Sequence, residues 1–238
     1  MRISRRQFIS DGWKLGAFGI FVPTLIRAAT PIPFGFLKTA AAAGGGGGDF
    51  VSDTMTGSDG TDLTAHTGET GATWAKVTGV TGIIKITGNR CKGDSDGNSL
   101  YYASGSPTTA EYDVTADLFQ RTDVDEVGIC GRMSTGAHTC YRLWYEHTAD
   151  RWSLDKVVTG TLTNLGTFTD EWANSTSRAV KLQIRDAAKK AFIDGVERIS
   201  SANNDITAAG KCGIWYNNSD WGFGTTGREV DNFKGTNP

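Results

Sequence analysis

The sequence predicts an all-β fold, an antiparallel β-sandwich or barrel behind a non-globular N-terminal segment. Three observations carry this. Short runs of alternating apolar and polar residues recur from Asp49 to Pro238. Clusters of Gly, Asn, Asp, Ser and Thr separate them, as turns separate strands. No long stretch with the 3.6-residue spacing of an amphipathic helix interrupts the series. About a dozen such runs in one chain segment suit a single sandwich or barrel, and the lack of a fixed repeat argues against a propeller.

The N-terminal segment, residues 1–43, reads as an export signal. Ser4-Arg5-Arg6-Gln7-Phe8-Ile9 follows the twin-arginine pattern, and an apolar stretch runs from Leu15 to Ile26. As a helix that stretch covers about 18 Å, short of the ~30 Å hydrocarbon core, so no integral membrane span is expected. Ala41-x-Ala43 and Thr39-x-Ala41 offer small-residue cleavage sites. The alternative is a retained amphipathic tail. Gly44 to Gly48 form a flexible linker, and the folded domain is expected over 49–238.

The formal charge of −2 averages two unlike parts. Residues 1–43 hold six basic side chains and one acid, which leaves 18 basic and 25 acidic residues beyond them, a net −7. The body therefore has no basic footprint for nucleic acid.

Predicted strands lie at 50–55, 81–87, 98–103, 111–119, 125–132, 140–147, 151–158, 161–168, 178–185, 190–199, 211–217 and 228–234. Alternation assigns their faces. Val180, Leu182 and Ile184 point inward, with Ala179, Lys181 and Gln183 outward. Tyr112, Val114, Ala116 and Leu118 point inward, opposite Glu111, Asp113, Thr115 and Asp117. Val127, Ile129, Tyr141, Leu143 and Tyr145 are predicted to be buried, with Arg132, Arg142, Trp144 and Glu146 outward. A polar face with one Trp and two Arg is a candidate ligand surface; the alternative is a solvated face.

Several segments resemble one family. Val180-Lys181-Leu182-Gln183-Ile184 precedes Ala191-Phe192-Ile193-Asp194-Gly195-Val196, then Ala209-Gly210-Lys211-Cys212-Gly213-Ile214, then Glu229-Val230-Asp231-Asn232-Phe233. At the start, Phe50-Val51-Ser52-Asp53, Asp59-Gly60-Thr61-Asp62-Leu63 and Thr73-Trp74 fit the same pattern. The order resembles concanavalin A-like lectin/glucanase domains of the laminin-G-like type. The resemblance implies a two-sheet antiparallel jelly-roll sandwich with one concave sheet and adjacent first and last strands. It implies lectins, glycan-binding modules, hydrolases and coat proteins as relatives, so it does not choose an activity. It also implies a structural calcium between the first and last strands, for which Asp53 and Asp231 are the candidate ligands.

Catalysis is not indicated. Retaining hydrolysis needs two carboxyl groups about 5–5.5 Å apart, and the E-x-D-x-E strand pattern of laminarinase-type relatives is absent. Glu111 and Asp113 are the nearest substitute. His66, His138 and His147 are isolated, with no zinc spacing. Asp94-Ser95-Asp96-Gly97-Asn98 echoes a calcium loop without its terminal glutamate, and an acidic hairpin turn fits better.

Cys130 and Cys140 lie on consecutive predicted strands, both outward, and pair across the hairpin on this reading; Cys91 is left with Cys212. The alternative is four buried free thiols.

The preferred reading is a secreted, non-catalytic binding module for a glycan or surface polymer. A sugar would stack on an exposed Trp, with Trp144, Arg142, Arg132 and Asp117 as one set and Trp215, Tyr216 and Trp221 as another. A self-assembling coat or filament subunit is the second reading, and a glycoside hydrolase the third.

Overall fold

The computed structural model describes residues 47–95, 97–218 and 227–238. Its strands are β1 (Asp49–Asp53), β2 (Trp74–Lys76), β3 (Ile84–Ile86), β4 (Cys91–Gly93), β5 (Gly97–Ala103), β6 (Tyr112–Gln120), β7 (Glu126–Met133), β8 (Cys140–Glu146), β9 (Arg151–Val158), β10 (Thr161–Thr169), β11 (Thr176–Arg185), β12 (Ala188–Ile193), β13 (Val196–Ala202), β14 (Lys211–Asn218) and β15 (Arg228–Thr236). They form two antiparallel sheets. The first runs β13-β12-β11-β6-β15-β4-β3, with β1 also on β15; the second runs β10-β9-β8-β7-β14-β5-β2.

The faces follow the sequence alternation. Val114, Leu118, Val180, Leu182 and Ile184 of the first sheet meet Val127, Ile129, Tyr141, Leu143 and Tyr145 of the second in one buried core. The first and last strands are neighbours, with Asp53 opposite Phe233. The end of the glycine linker joins them: the Gly47 N–H donates to the Pro238 carbonyl at 2.8 Å. Segment 1–43 and residues 44–46 lie outside the described residues, as does Trp221. Among the described residues no helix is long and apolar enough to cross a membrane.

The strand boundaries differ from expectation in three places. Run 190–199 divides into β12 and β13 at Asp194-Gly195, where both residues take positive φ, 51° and 78°. That is the backbone of a tight two-residue hairpin. The short strands β2 and β4 carry too few residues to show alternation. The hairpin turn expected at 94–98 is not one, because Asp94 follows β4 in the first sheet while Gly97 and Asn98 open β5 in the second; Asp96 lies outside the described residues. Asp94 there pairs with Lys85 at 2.5 Å, and the Ser95 hydroxyl accepts from the Ile83 N–H at 2.8 Å.

All four cysteines are free and buried. Cys91 belongs to the first sheet and Cys212 to the second. Cys130 and Cys140 share a face on neighbouring strands, with Arg142 directly opposite Cys130, and their sulfurs meet as free thiols.

Asp53 is a buried structural anchor. Its carboxylate accepts from the Met55 N–H at 2.7 Å and the Trp74 indole at 2.7 Å, and bonds the His66 ring at 2.9 Å. Its expected calcium partner, Asp231, is partly exposed and accepts instead from the Asn232 N–H at 2.7 Å. Among the described residues no group of three or more metal-ligating side chains is placed to hold an ion. Asp53→Ala leaves several buried donors unsatisfied, at about 1–3 kcal/mol each. Urea denaturation is expected to show a loss of at least one such increment, and a smaller loss for Asp53→Asn, which keeps one acceptor oxygen.

Candidate functional site

The site grows from β7, the middle of the second sheet, which pairs with β8 on one side and β14 on the other. Register sets Trp215 opposite Gly128, and Gly128 opposite Trp144. All three positions face away from the inter-sheet core, and the two tryptophans join a second buried apolar cluster with Val77, Leu100, Met133 and Val157. With no side chain at Gly128, the two indoles lean over β7 and meet edge to face, 5.3 Å between centroids. A Cβ on Gly128 would stand 2.5 Å from the Leu143 carbonyl oxygen and 2.6 Å from the Trp144 Cβ.

The next row reads Cys130, Arg142, Asp155 and Asn164 across β7, β8, β9 and β10. The Arg142 guanidinium lies 3.8 Å from the Trp215 ring centroid and 4.7 Å from that of Trp144, within cation–π reach of both. Asp155 accepts from Arg142 at 3.2 Å, from the Trp144 indole, and from the Asn164 amide at 2.9 Å. A third row, Asn98, Asn217 and Glu126, forms a polar rim. Asn217 donates to Glu126 at 3.0 Å, and the Trp215 indole donates to Asn98 at 3.1 Å.

Two buried polar atoms on this face have no hydrogen-bond partner among the described residues: Arg142 Nε and the Ser153 hydroxyl. Ser153 stands opposite Trp144. Both atoms are buried beneath the face rather than open to solvent.

The structure unites Trp144 and Arg142 with Trp215, which the sequence places in a separate set. Tyr216, one residue on, turns into the core and donates to the Cys91 carbonyl at 2.6 Å. The two tryptophans are not the open platforms the sequence suggests, since Trp144 is 9% exposed and Trp215 only 3%. Asp117 is outward as expected but on β6, in the other sheet. Arg132 leaves the face entirely. A register shift around Cys130 and Met133 forms a bulge in which Arg132 takes φ 50°. Its buried guanidinium ties the Ala110 carbonyl at 3.0 Å to Asn204 at 3.1 Å and so holds the loops at the end of the sandwich. Asp113 is likewise on the outer face of the first sheet, ion-paired with Arg185 at 2.8 Å, while Glu111 precedes β6.

Beside Arg142, the Cys130 thiol hydrogen-bonds the Cys140 sulfur, and with His138 it holds the Cys140 thiol below its ordinary value. Burial pushes Cys130 the other way. Near Arg132, burial lowers the Lys189 ammonium to about 8. Lys189 donates to the Asn203 carbonyl at 2.8 Å.

No protein-family model matches the chain, and no curated protein matches it. Solved structures do. A carbohydrate binding module from Bacillus subtilis superposes with a TM-score of 0.55 at 15% identity, over 69% of this chain and 93% of its own. A Bacillus subtilis protein of unknown function with a galectin-like fold gives 0.53 at 11% identity, over 78% and 97%. At these identities the likeness is one of fold, the jelly-roll sandwich that the resemblance implies.

Gly128→Ala is expected to cost about 1–3 kcal/mol in urea denaturation through overpacking, and to weaken the near-UV signal of the coupled indoles. Lys189 binds its proton less tightly in the folded chain than its ordinary value of 10.5. Between about pH 8 and 10.5 the unfolded chain therefore holds more protons, and stability rises with pH. Relative to Lys189→Met, the parent is expected to gain stability across that window and to run parallel below it.

Proposed function

We propose that this chain is a non-catalytic binding module for a glycan or surface polymer, and that the outer face of the second sheet receives the ligand. The observation that carries the reading is the Arg142–Asp155 pair, fixed beside two indoles and bordered by an accessible rim of Asn98, Asn217 and Glu126. A saccharide matches this mixture: its C–H face packs on an indole edge, and its hydroxyls meet Asn98, Asn217 and Glu126. Arg142 is held in place by Asp155 before any ligand arrives, which lowers the ordering cost of binding. The carbohydrate binding module of the same fold supports this reading by analogy. The twin-arginine run at Ser4–Ile9 supports export, and N-terminal sequencing of the secreted protein is expected to begin at Ala42 or Gly44.

The test is a glycan array with the full-length chain, followed by titration of the best ligand. Asn98 and Asn217 lie at the rim, so Asn98→Ala and Asn217→Ala are expected to fold as the parent does. Each is expected to weaken binding up to about tenfold, the loss of one hydrogen bond. A folded protein that binds no glycan, or rim variants that bind as tightly as the parent, would falsify the reading.

A further inference from the structure

The outer face of the first sheet carries a separate arrangement. Register aligns Phe192, Lys181, Thr115 and Lys234 in one row across β12, β11, β6 and β15. Neighbouring strands lie about 4.8 Å apart, so the two lysine stems rise roughly 10 Å apart with the Thr115 hydroxyl between them. Two residues along β6, Asp117 stands opposite Ala179 on one side and Asp231 on the other. Ala179 and Gly195 bring little side chain to this region, and a hollow of about 380 Å³ opens there.

The walls of the hollow are held in place. A bulge between Asp231 and Lys234 puts Asn232 at φ 50°, and its amide donates to Asp117 at 2.9 Å. The Lys181 ammonium sits 4.2 Å from the Phe192 ring centroid. The carboxylates nearest the two ammonium groups are not tight partners. Lys181 is 3.8 Å from Asp113, which Arg185 already holds at 2.8 Å, and Lys234 is 3.5 Å from Asp49.

We propose that this hollow is a second saccharide site, on the opposite sheet from the first and independent of it, and that it takes an acidic sugar, a uronate residue of a polysaccharide. The sugar carboxylate bridges Lys181 and Lys234 across the Thr115 hydroxyl. Ring hydroxyls donate to Asp117 and accept from Asn232, and the ring's C–H groups meet Ala179 and the edge of Phe192. Asp117 favours a sugar over a bare anion, because it repels a second negative charge and welcomes a hydroxyl. Residues 44–238 carry a net −7, so a polyanion gains nothing from the general field of the body. Its attraction has to come from this lysine pair.

Isothermal titration of the full-length chain with oligogalacturonides, and with the same oligomers methyl-esterified, separates charge from ring shape. The acid form is expected to bind about tenfold or more tightly than the ester, the weight of one charge-assisted hydrogen bond. Lys181→Gln combined with Lys234→Gln is expected to abolish that preference. Both lysines are solvent-accessible, so circular dichroism is expected to match the parent. Asn217→Ala, on the other face, is expected to leave the titration unchanged. Equal affinity for acid and ester, an unaffected lysine double variant, loss of binding on Asn217→Ala, or no binding at all would each overturn the proposal. The lysine double variant and the acid–ester comparison leave neutral-glycan binding at the Trp144 face untouched, whereas loss on Asn217→Ala would assign the oligomer to that face instead.

Discussion

The register of β7 is the constraint on which the rest of the second sheet depends. Val127 and Ile129 enter the core, and Gly128 and Cys130 are thereby sent outward. A slip by one residue would exchange the two sets, moving two β-branched side chains out of the inter-sheet core and leaving a gap there. Core packing therefore selects the register. Once it is selected, Trp144 and Trp215 must flank a glycine, and Arg142 must stand between their rings and Asp155. The outer face inherits its geometry from apolar burial on the inner one.

The Arg142–Asp155 pair is better understood as organisation than as stabilisation. Both side chains are buried, and the desolvation of a buried pair offsets most of its Coulomb attraction. What keeps the pair in place is the company around it: two ring faces for the guanidinium, and indole and amide donors for the carboxylate. The result is a fixed charge pattern on the sheet, bordered by the Asn98, Asn217 and Glu126 rim. The first sheet presents a different surface, in which lysines, a threonine and a carboxylate line an open hollow. A sandwich has two outer faces, and here their chemistries differ.

Much of this was legible from local pattern. Alternation placed Trp144 and Arg142 outward and Val127, Ile129 and Tyr145 inward, and the structure agrees. Asp117 was given the correct parity and the wrong company, because parity says nothing about which sheet a strand joins. Arg132 failed for a different reason. A bulge inserts one residue into the count, and no apolar residue nearby reports it. Trp215 falls in a separate set from Trp144 because 70 residues of chain lie between them. The one local hint that they meet was Gly128, a glycine inside a strand, which often marks close approach from a neighbour.

Local pattern is enough for the fold class, for the inward and outward faces of most long strands, and for many of the turns between them. Side-chain direction in a strand is a local property with period two, and glycine, asparagine and aspartate mark turns through their own backbone preferences. Only the tertiary structure decided which outward residues share a face. Strand order is set by long-range packing, and it seats β14 beside β7 and β15 beside β6 across most of the domain. That is why Trp215 completes the Arg142 cluster, why Asp117 and Lys234 come to line one hollow, and why Cys91 and Cys212 end on different sheets.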